Sequence, residues 1–435
     1  MSSLSLRWGD HHPNRSTARP RQLKDLKGFI FAGWCFSVSG RALIALPVHR
    51  RNEEHAIEIH GDCDNRFSSV TEAFERNFTE HGDIGASFAA TIDGEFVIDM
   101  WAGHRDRAKT LPWERDTIVN VFSTTKTMTA LSALILLDRG ELDVDAPVTN
   151  YWPEYGQNGK EGTLVRHFLG HSAGLPGFGE KLTKEQLYSW DTVVEVLARQ
   201  EPWWQPGTMG AYHAITQGFL VGELVRRISD QSLGTFFKNN VAQPLDADFH
   251  IGLDPQHFDR TAEMLGGVAP PQLPDPDQIP DYMKGREQGT PNVMPPETNS
   301  SAWRQSEIPA ANGHGNARSV VRAQTAVANG GTAFGVDLLS QGTIDRIFEE
   351  QCDLLGMGVK HGIGYGIASP ASAVFMGIPE EIKLTFWGGA GGSTIMLDHT
   401  NRVVLSYVMN QMDMRLLGDT RGRNLTASFY AALSS

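Results

Sequence analysis

Apolar residues recur every third or fourth position in some stretches of the chain and every second position in others, and the two periods predict different elements. Val70, Phe74 and Phe78 form one helical stripe, with Ser69-x-x-Glu72 reading as a capping box ahead of it. Ala86–Ile92 and Glu95–Trp101 read as strands joined by Asp93-Gly94, residue types suited to a two-residue hairpin turn. A helix then runs through Met128, Leu131, Leu134 and Leu137 and is predicted to stop at Gly140. It is apolar nearly all round, so it is expected between layers. Residues 141–306 read as helices and long loops, with eight prolines in 270–296, too many for regular structure and suited to a binding-site wall or a surface excursion. Beyond 307 the pattern gives a helix over Ala317–Ala328 and strands at Lys383–Trp387 and Thr394–Leu397. A hairpin across Asp398–Asn401 leads into Val403–Met409, and a helix over Leu425–Leu433 closes the chain. Strands near both ends with helices between imply a discontinuous α/β (α+β) domain, residues 65–140 and 307–435, made of an antiparallel sheet flanked by helices. Residues 141–306 would be an inserted, mostly helical domain, and residues 1–64 an N-terminal extension.

The buried helix opens with Ser123-Thr124-Thr125-Lys126. Residues three apart share a helical face, so the lysine amine can reach the serine hydroxyl. A helix start also offers backbone N–H groups with no partner inside the helix and the positive end of its dipole. A nucleophile, a nitrogen to take its proton and donors for an oxyanion are the parts of an acyl-transfer site. Alone, the pattern is equally that of a serine cap and a solvated lysine. Two further segments change the balance. Tyr212, in Gly210-Ala211-Tyr212-His213-Ala214, follows a Pro-Gly turn and precedes an apolar helix (Ile215, Phe219, Leu220), so its hydroxyl can point into a cleft. A lysine ammonium beside it would favour the phenolate and make it a general base. Phe386-Trp387-Gly388-Gly389-Ala390-Gly391-Gly392-Ser393 lies between two strand-like runs, where glycines mark a close backbone approach to something else.

A rival nucleophile is Ser172 in Gly170-His171-Ser172-Ala173-Gly174, a G-x-S-x-G pattern. That elbow requires a strand before it and a helix after it. Leu164, Val165, Phe168 and Leu169 ahead of it are spaced as a helix, and Leu175-Pro176-Gly177 behind it is turn chemistry. His167 and His171 are four apart without the glutamate of a zinc motif, so no metal is expected.

In the order S-x-x-K, Tyr, W-G-G, the three segments resemble the penicillin-recognising serine hydrolases of β-lactamase/transpeptidase-like fold. The nearest resemblance is to class C β-lactamases and the related family VIII carboxylesterases. Ile84–Asp106, His171–Pro176, Pro206–Arg227 and Ala311–Arg322 share it, so that it covers roughly residues 65 to 435. The resemblance implies Ser123 as acylated nucleophile, Lys126 as its proton partner and Tyr212 as the shared base and acid. The N–H groups of Ser123 and Ala390 would form the oxyanion hole, and Trp387, Gly388 and Gly389 would line the substrate. Such β-lactamases carry an asparagine where this chain has Ala214 and a lysine where it has Trp387. Both departures remove polar contacts to a β-lactam. The expected function is therefore a serine carboxylesterase acting on short-chain acyl esters, with no cofactor. A β-lactamase, a D-amino-acid peptidase or an acyltransferase on the same fold stands as the alternative, and a non-catalytic binding protein would have no need of all three groups.

Composition narrows the partners. A formal net charge of −13 argues against nucleic acid and anionic membranes. No apolar run reaches the ~20 residues that span a bilayer. Cys35, Cys63 and Cys352 are too scattered for a disulfide framework, which favours a cytoplasmic setting. Residues 1–51 hold nine basic and two acidic side chains and then the apolar run Phe29–Val38, which resembles a secretory signal interrupted by Arg41 and is explained as well by a disordered extension or an upstream start to the reading frame.

Overall fold

Nine strands form one wholly antiparallel sheet in the computed structural model, which describes residues 57–266, 284, 289–354, 359–413 and 419–435. In chain order they are β1 (Ile59–Cys63), β2 (Gly85–Ile92), β3 (Glu95–Gly103), β4 (Cys352–Leu354), β5 (Val359–His361), β6 (Gly366–Ile367), β7 (Leu384–Gly388), β8 (Thr394–Asp398) and β9 (Val403–Met409). They lie side by side as β1-β3-β2-β9-β8-β7-β6-β5-β4. The hairpin between β2 and β3 turns at Asp93 and Gly94, with φ of 50° and 84°, the left-handed pair expected of a two-residue turn. β9 pairs with β2, matching Val403 to Ile92 and Met409 to Ala86, so an early and a late segment of the chain lie side by side within the sheet.

Both faces of the sheet are covered, which is why every residue of β9 is buried. Val403, Leu405, Tyr407 and Met409 face the helices α1 (Ser68–Thr79) and α7 (Thr420–Leu433), where Phe67 stacks on Phe429 at 4.7 Å. Val404 and Val408 face the other side. There they join a second core built by α2 (Thr125–Asp138), α3 (Val165–Leu169), α4 (Trp190–Arg199), α5 (Thr216–Ser229) and α6 (Ala317–Ala328). In α2 every residue from Thr125 to Leu136 is buried. Its threonines are tolerated there because their hydroxyls bond to carbonyls, Thr127 to Thr124 at 2.8 Å and Thr129 to Pro309 at 2.6 Å. The helix ends at Gly140, with φ of 72°. The described part of residues 141–306 holds no strand and shares its core with α2 and the sheet.

Three expectations need correcting. Ser69 does not cap α1: a 3₁₀ turn over Asn65–Phe67, capped by the Asp64 carboxylate at 2.9 Å, runs straight into a helix already begun at Ser68. Residues 1–64 are not all extension, because Ile59–Cys63 is the edge strand pairing β3. Its sequence, Ile-His-Gly-Asp-Cys, offers no apolar alternation to read. α7 begins at Thr420 rather than Leu425, because its first turn buries Arg421 and Gly422 instead of apolar side chains. Most of the proline-rich stretch lies outside the described residues. No described helix is long and apolar enough to cross a membrane.

Candidate active site

Ser123 sits on a one-turn 3₁₀ segment, Phe122–Thr124, that leads into α2. The preceding Phe122 has φ of 46°, a costly conformation for an aromatic residue that persists only where its surroundings hold it. Here they do. The Val121 N–H donates to Gly313 O at 2.9 Å, and Val121 O accepts from the Ser393 hydroxyl at 2.7 Å. The glycine-rich segment after β7 runs directly against this turn. A Cβ on Gly389 would stand 2.1 Å from Val121 O and 3.1 Å from Ser123 N. The segment is folded on itself by Gly389 N–H to Ser393 O and Gly392 N–H to Gly389 O. Arg421 and Asp413 fix its far side by donating to Gly391 O at 2.8 and 2.9 Å. Among the described residues neither the Ser123 nor the Ala390 N–H has an acceptor, which leaves both for an oxyanion.

The Lys126 amine lies 3.3 Å from Ser123 Oγ, 2.7 Å from Ala214 O and 2.8 Å from Ala310 O. Its side chain is only 2% exposed, and desolvation holds its pKa well below the usual lysine value. A neutral amine has two N–H bonds, and the two carbonyls take both. Its lone pair is then left to the serine hydroxyl.

Tyr212 reaches Ser123 from the other side. Burial pushes its phenol up to about 12, against the smaller opposing effect of its hydrogen bond with Ser123. The Trp387 indole N–H makes no full hydrogen bond, yet its approach to the phenol also favours the phenolate slightly. The expected proximity of the lysine to Tyr212 is seen, while burial works against the phenolate that an ammonium there would favour. Lys126 Nζ lies over the ring face, 4.8 Å from its centre, and the phenol stays protonated. Trp387, half-buried on β7, packs against Tyr212 at 5.5 Å. Ala214 is exposed beside the pair and gives only its carbonyl to the lysine.

Ser172 is 2% exposed and follows α3, a helix, so it has neither the strand nor the exposure an elbow nucleophile needs. Sequence reasoning missed three buried imidazoles behind Tyr212. His171 lies 5.1 Å from the Tyr212 ring, 5.6 Å from His213 and 4.7 Å from His361. All three are held below the usual histidine pKa by burial first, and the nearby Lys126 adds to it. They come from three distant segments, so no local pattern announced them. Among the described residues no three His, Cys, Asp or Glu side chains converge as metal ligands.

A family model described as Beta-lactamase matches residues 72–427. Esterase/beta-lactamase LipL of Mycobacterium tuberculosis is 35% identical over 294 residues, covering 65% of this chain and 67% of that protein. Esterase EstB of Burkholderia gladioli is 27% identical, over 75% of this chain and 85% of its own. Among solved structures, a family VIII carboxylesterase superposes with a TM-score of 0.79 at 35% identity, over 86% of this chain and all of that one. A penicillin-binding protein homolog from Caulobacter crescentus superposes equally well, with a TM-score of 0.79 at 34% identity over the same shares.

Proposed function

The chain belongs to the β-lactamase family, and on that premise we propose that it is a serine carboxylesterase hydrolysing short-chain acyl esters through an acyl-enzyme. The observation that carries this reading is the Lys126 amine, dehydrated and 3.3 Å from Ser123 Oγ with its other donors occupied. Neutral Lys126 takes the Ser123 proton as Oγ attacks the ester carbonyl. The Ser123 and Ala390 N–H groups receive the oxyanion. As the tetrahedral intermediate collapses, the departing alkoxide takes the Tyr212 proton. The phenolate left behind faces a now protonated lysine, the circumstance that favours it. In the second half, the phenolate takes a proton from water as the hydroxide attacks the acyl carbon. Lys126 returns its proton to the departing Ser123 Oγ, and every group is as it began.

An ester fits this site better than a β-lactam. Trp387 presents an indole face and Ala214 a methyl, so nothing here matches a lactam carboxylate or its amide side chain. The name of LipL joins both activities and that of EstB gives the esterase alone, in keeping with one nucleophile serving either substrate.

Hydrolysis of p-nitrophenyl acetate and butyrate by two serine variants tests the assignment. Ser123→Ala is expected to abolish turnover, while Ser172→Ala keeps most of it. Full activity in the Ser123 variant would sink the mechanism and promote Ser172.

A further inference from the structure

Gly170–Leu175, the segment that imitates a nucleophile elbow, has no part in the chemistry above, yet it grips the Tyr212 segment along its length. The Gly207 N–H donates to Ser172 O at 2.8 Å and the Ala211 N–H to His171 O at 3.1 Å. The His213 N–H donates to His171 Nδ1 at 3.2 Å. In return the Leu175 N–H donates to His213 Nε2 at 3.0 Å, and the Thr216 hydroxyl to Leu175 O at 2.6 Å. Both chain neighbours of Tyr212 are therefore tied to one residue, His171.

The His171 imidazole does more than tie backbone. It is 1% exposed, meets the Tyr212 ring edge-on at 5.1 Å and stacks on Trp387 at 6.1 Å. Its third neighbour, His361, is 4.7 Å away and itself touches Trp387 at 5.1 Å. The tyrosine segment and the strand carrying Trp387 thus meet on a single ring. Because Nδ1 accepts the His213 N–H, the ring proton sits on Nε2 and the imidazole is neutral. His171 also has φ of 57°, a left-handed backbone that few side chains tolerate apart from asparagine and aspartate.

We propose that His171 is a positioning residue: its Nδ1, by accepting the His213 N–H, sets the Tyr212 hydroxyl against Ser123. The proposal rests on the reading of Tyr212 as proton donor to the leaving alkoxide. A histidine that merely filled core space would be replaceable by any ring of its size. One that positions must keep an acceptor at the Nδ1 position, and misplacing a reacting group by ~1 Å can cost on the order of 100-fold in rate.

The test compares His171→Asn, whose Oδ1 falls near the lost Nδ1, with His171→Gln, whose acceptor lies one bond farther out. Each is made with Tyr212 and again with Tyr212→Phe, and kcat and KM are measured for every variant, at raised enzyme concentration where turnover is slow. Asparagine is expected to stay within about threefold of the parent kcat. Glutamine is expected to lose about 10- to 100-fold in kcat with KM within about twofold. In the Tyr212→Phe background the glutamine change should cost nothing more, since coupled residues are not additive. An equal cost in both backgrounds, or an asparagine variant as slow as the glutamine one, overturns the role of His171 alone. Full activity in Tyr212→Phe overturns the tyrosine's role in the proposed mechanism, and this proposal with it. If the glutamine variant gives no cooperative melt, His171→Phe, which keeps a ring and drops the acceptor, replaces it with the same expected loss.

Discussion

In the proposed mechanism Lys126 can act as a base only because it is dry. A lysine in water is protonated at neutral pH and has no lone pair to offer, but this one is enclosed and its pKa is held well down by desolvation. The sign of the pH dependence follows. As pH falls through that depressed value the amine gains a proton, the base is lost, and kcat/KM for a neutral ester falls with it. Lys126→Arg, which remains charged at any working pH, should lack this acid limb and run about 10²–10⁴-fold slower throughout. A pH–rate series on both proteins checks this, and an unchanged acid limb in the arginine variant would remove Lys126 from the base role. Ser123 and Lys126 were legible because their contact is local, one helical turn apart. Tyr212 and the glycine segment were legible only as turn chemistry beside apolar runs. His171 and His361 were not legible as partners, since burial beside Tyr212 is decided by how distant segments pack.

At the scale of elements, α7 supports the glycine-rich loop that follows β7. Its first turn carries Arg421, 2% exposed, whose guanidinium bonds Asp83 and Asp419 at 2.6 Å each and Gly391 O at 2.8 Å. Tyr407 of β9 completes the cluster by donating to Asp83 at 2.6 Å. Gly392 has room for no side chain there, because a Cβ would come within 2.1 Å of an Asp419 oxygen. Arg421→Met leaves two buried carboxylates without their cation, a loss of about 3–5 kcal/mol. It also removes one of the two donors to the Gly391 carbonyl, so kcat should fall in the fraction that stays folded. Urea denaturation and ester kinetics on one preparation read both effects, and a variant matching the parent in midpoint and kcat would dismiss α7 from this role. The longer strands β2, β3, β7, β8 and β9 were readable to within a residue or two, as was α6. β4 to β6 were not, being two or three residues long and stabilised by their neighbours rather than by their own pattern.

For the whole molecule, the fold followed from the order of periodicities along the chain, while the substrate rests on two side chains, Trp387 and Ala214. A β-lactam meeting this site forgoes a charge partner and an amide contact, each worth roughly 1.5–3 kcal/mol when charge-assisted. Short neutral esters forgo neither, so kcat/KM for p-nitrophenyl butyrate should exceed that for nitrocefin by at least about a hundredfold. Comparable efficiency on the two would reassign the protein as a β-lactamase. The pairing of β2 with β9 has a bearing on timing. Ile92 must wait for Val403, and a ribosome issues residues one after another. Until then the N-terminal hairpin has an unpaired edge, Gly391 has no Arg421 to hold it, and Ser123 has nothing to stabilise a reaction. Such long-range closure is slow, and a half-made sheet invites aggregation. It also means that the nascent chain carries its nucleophile for most of synthesis without being able to use it.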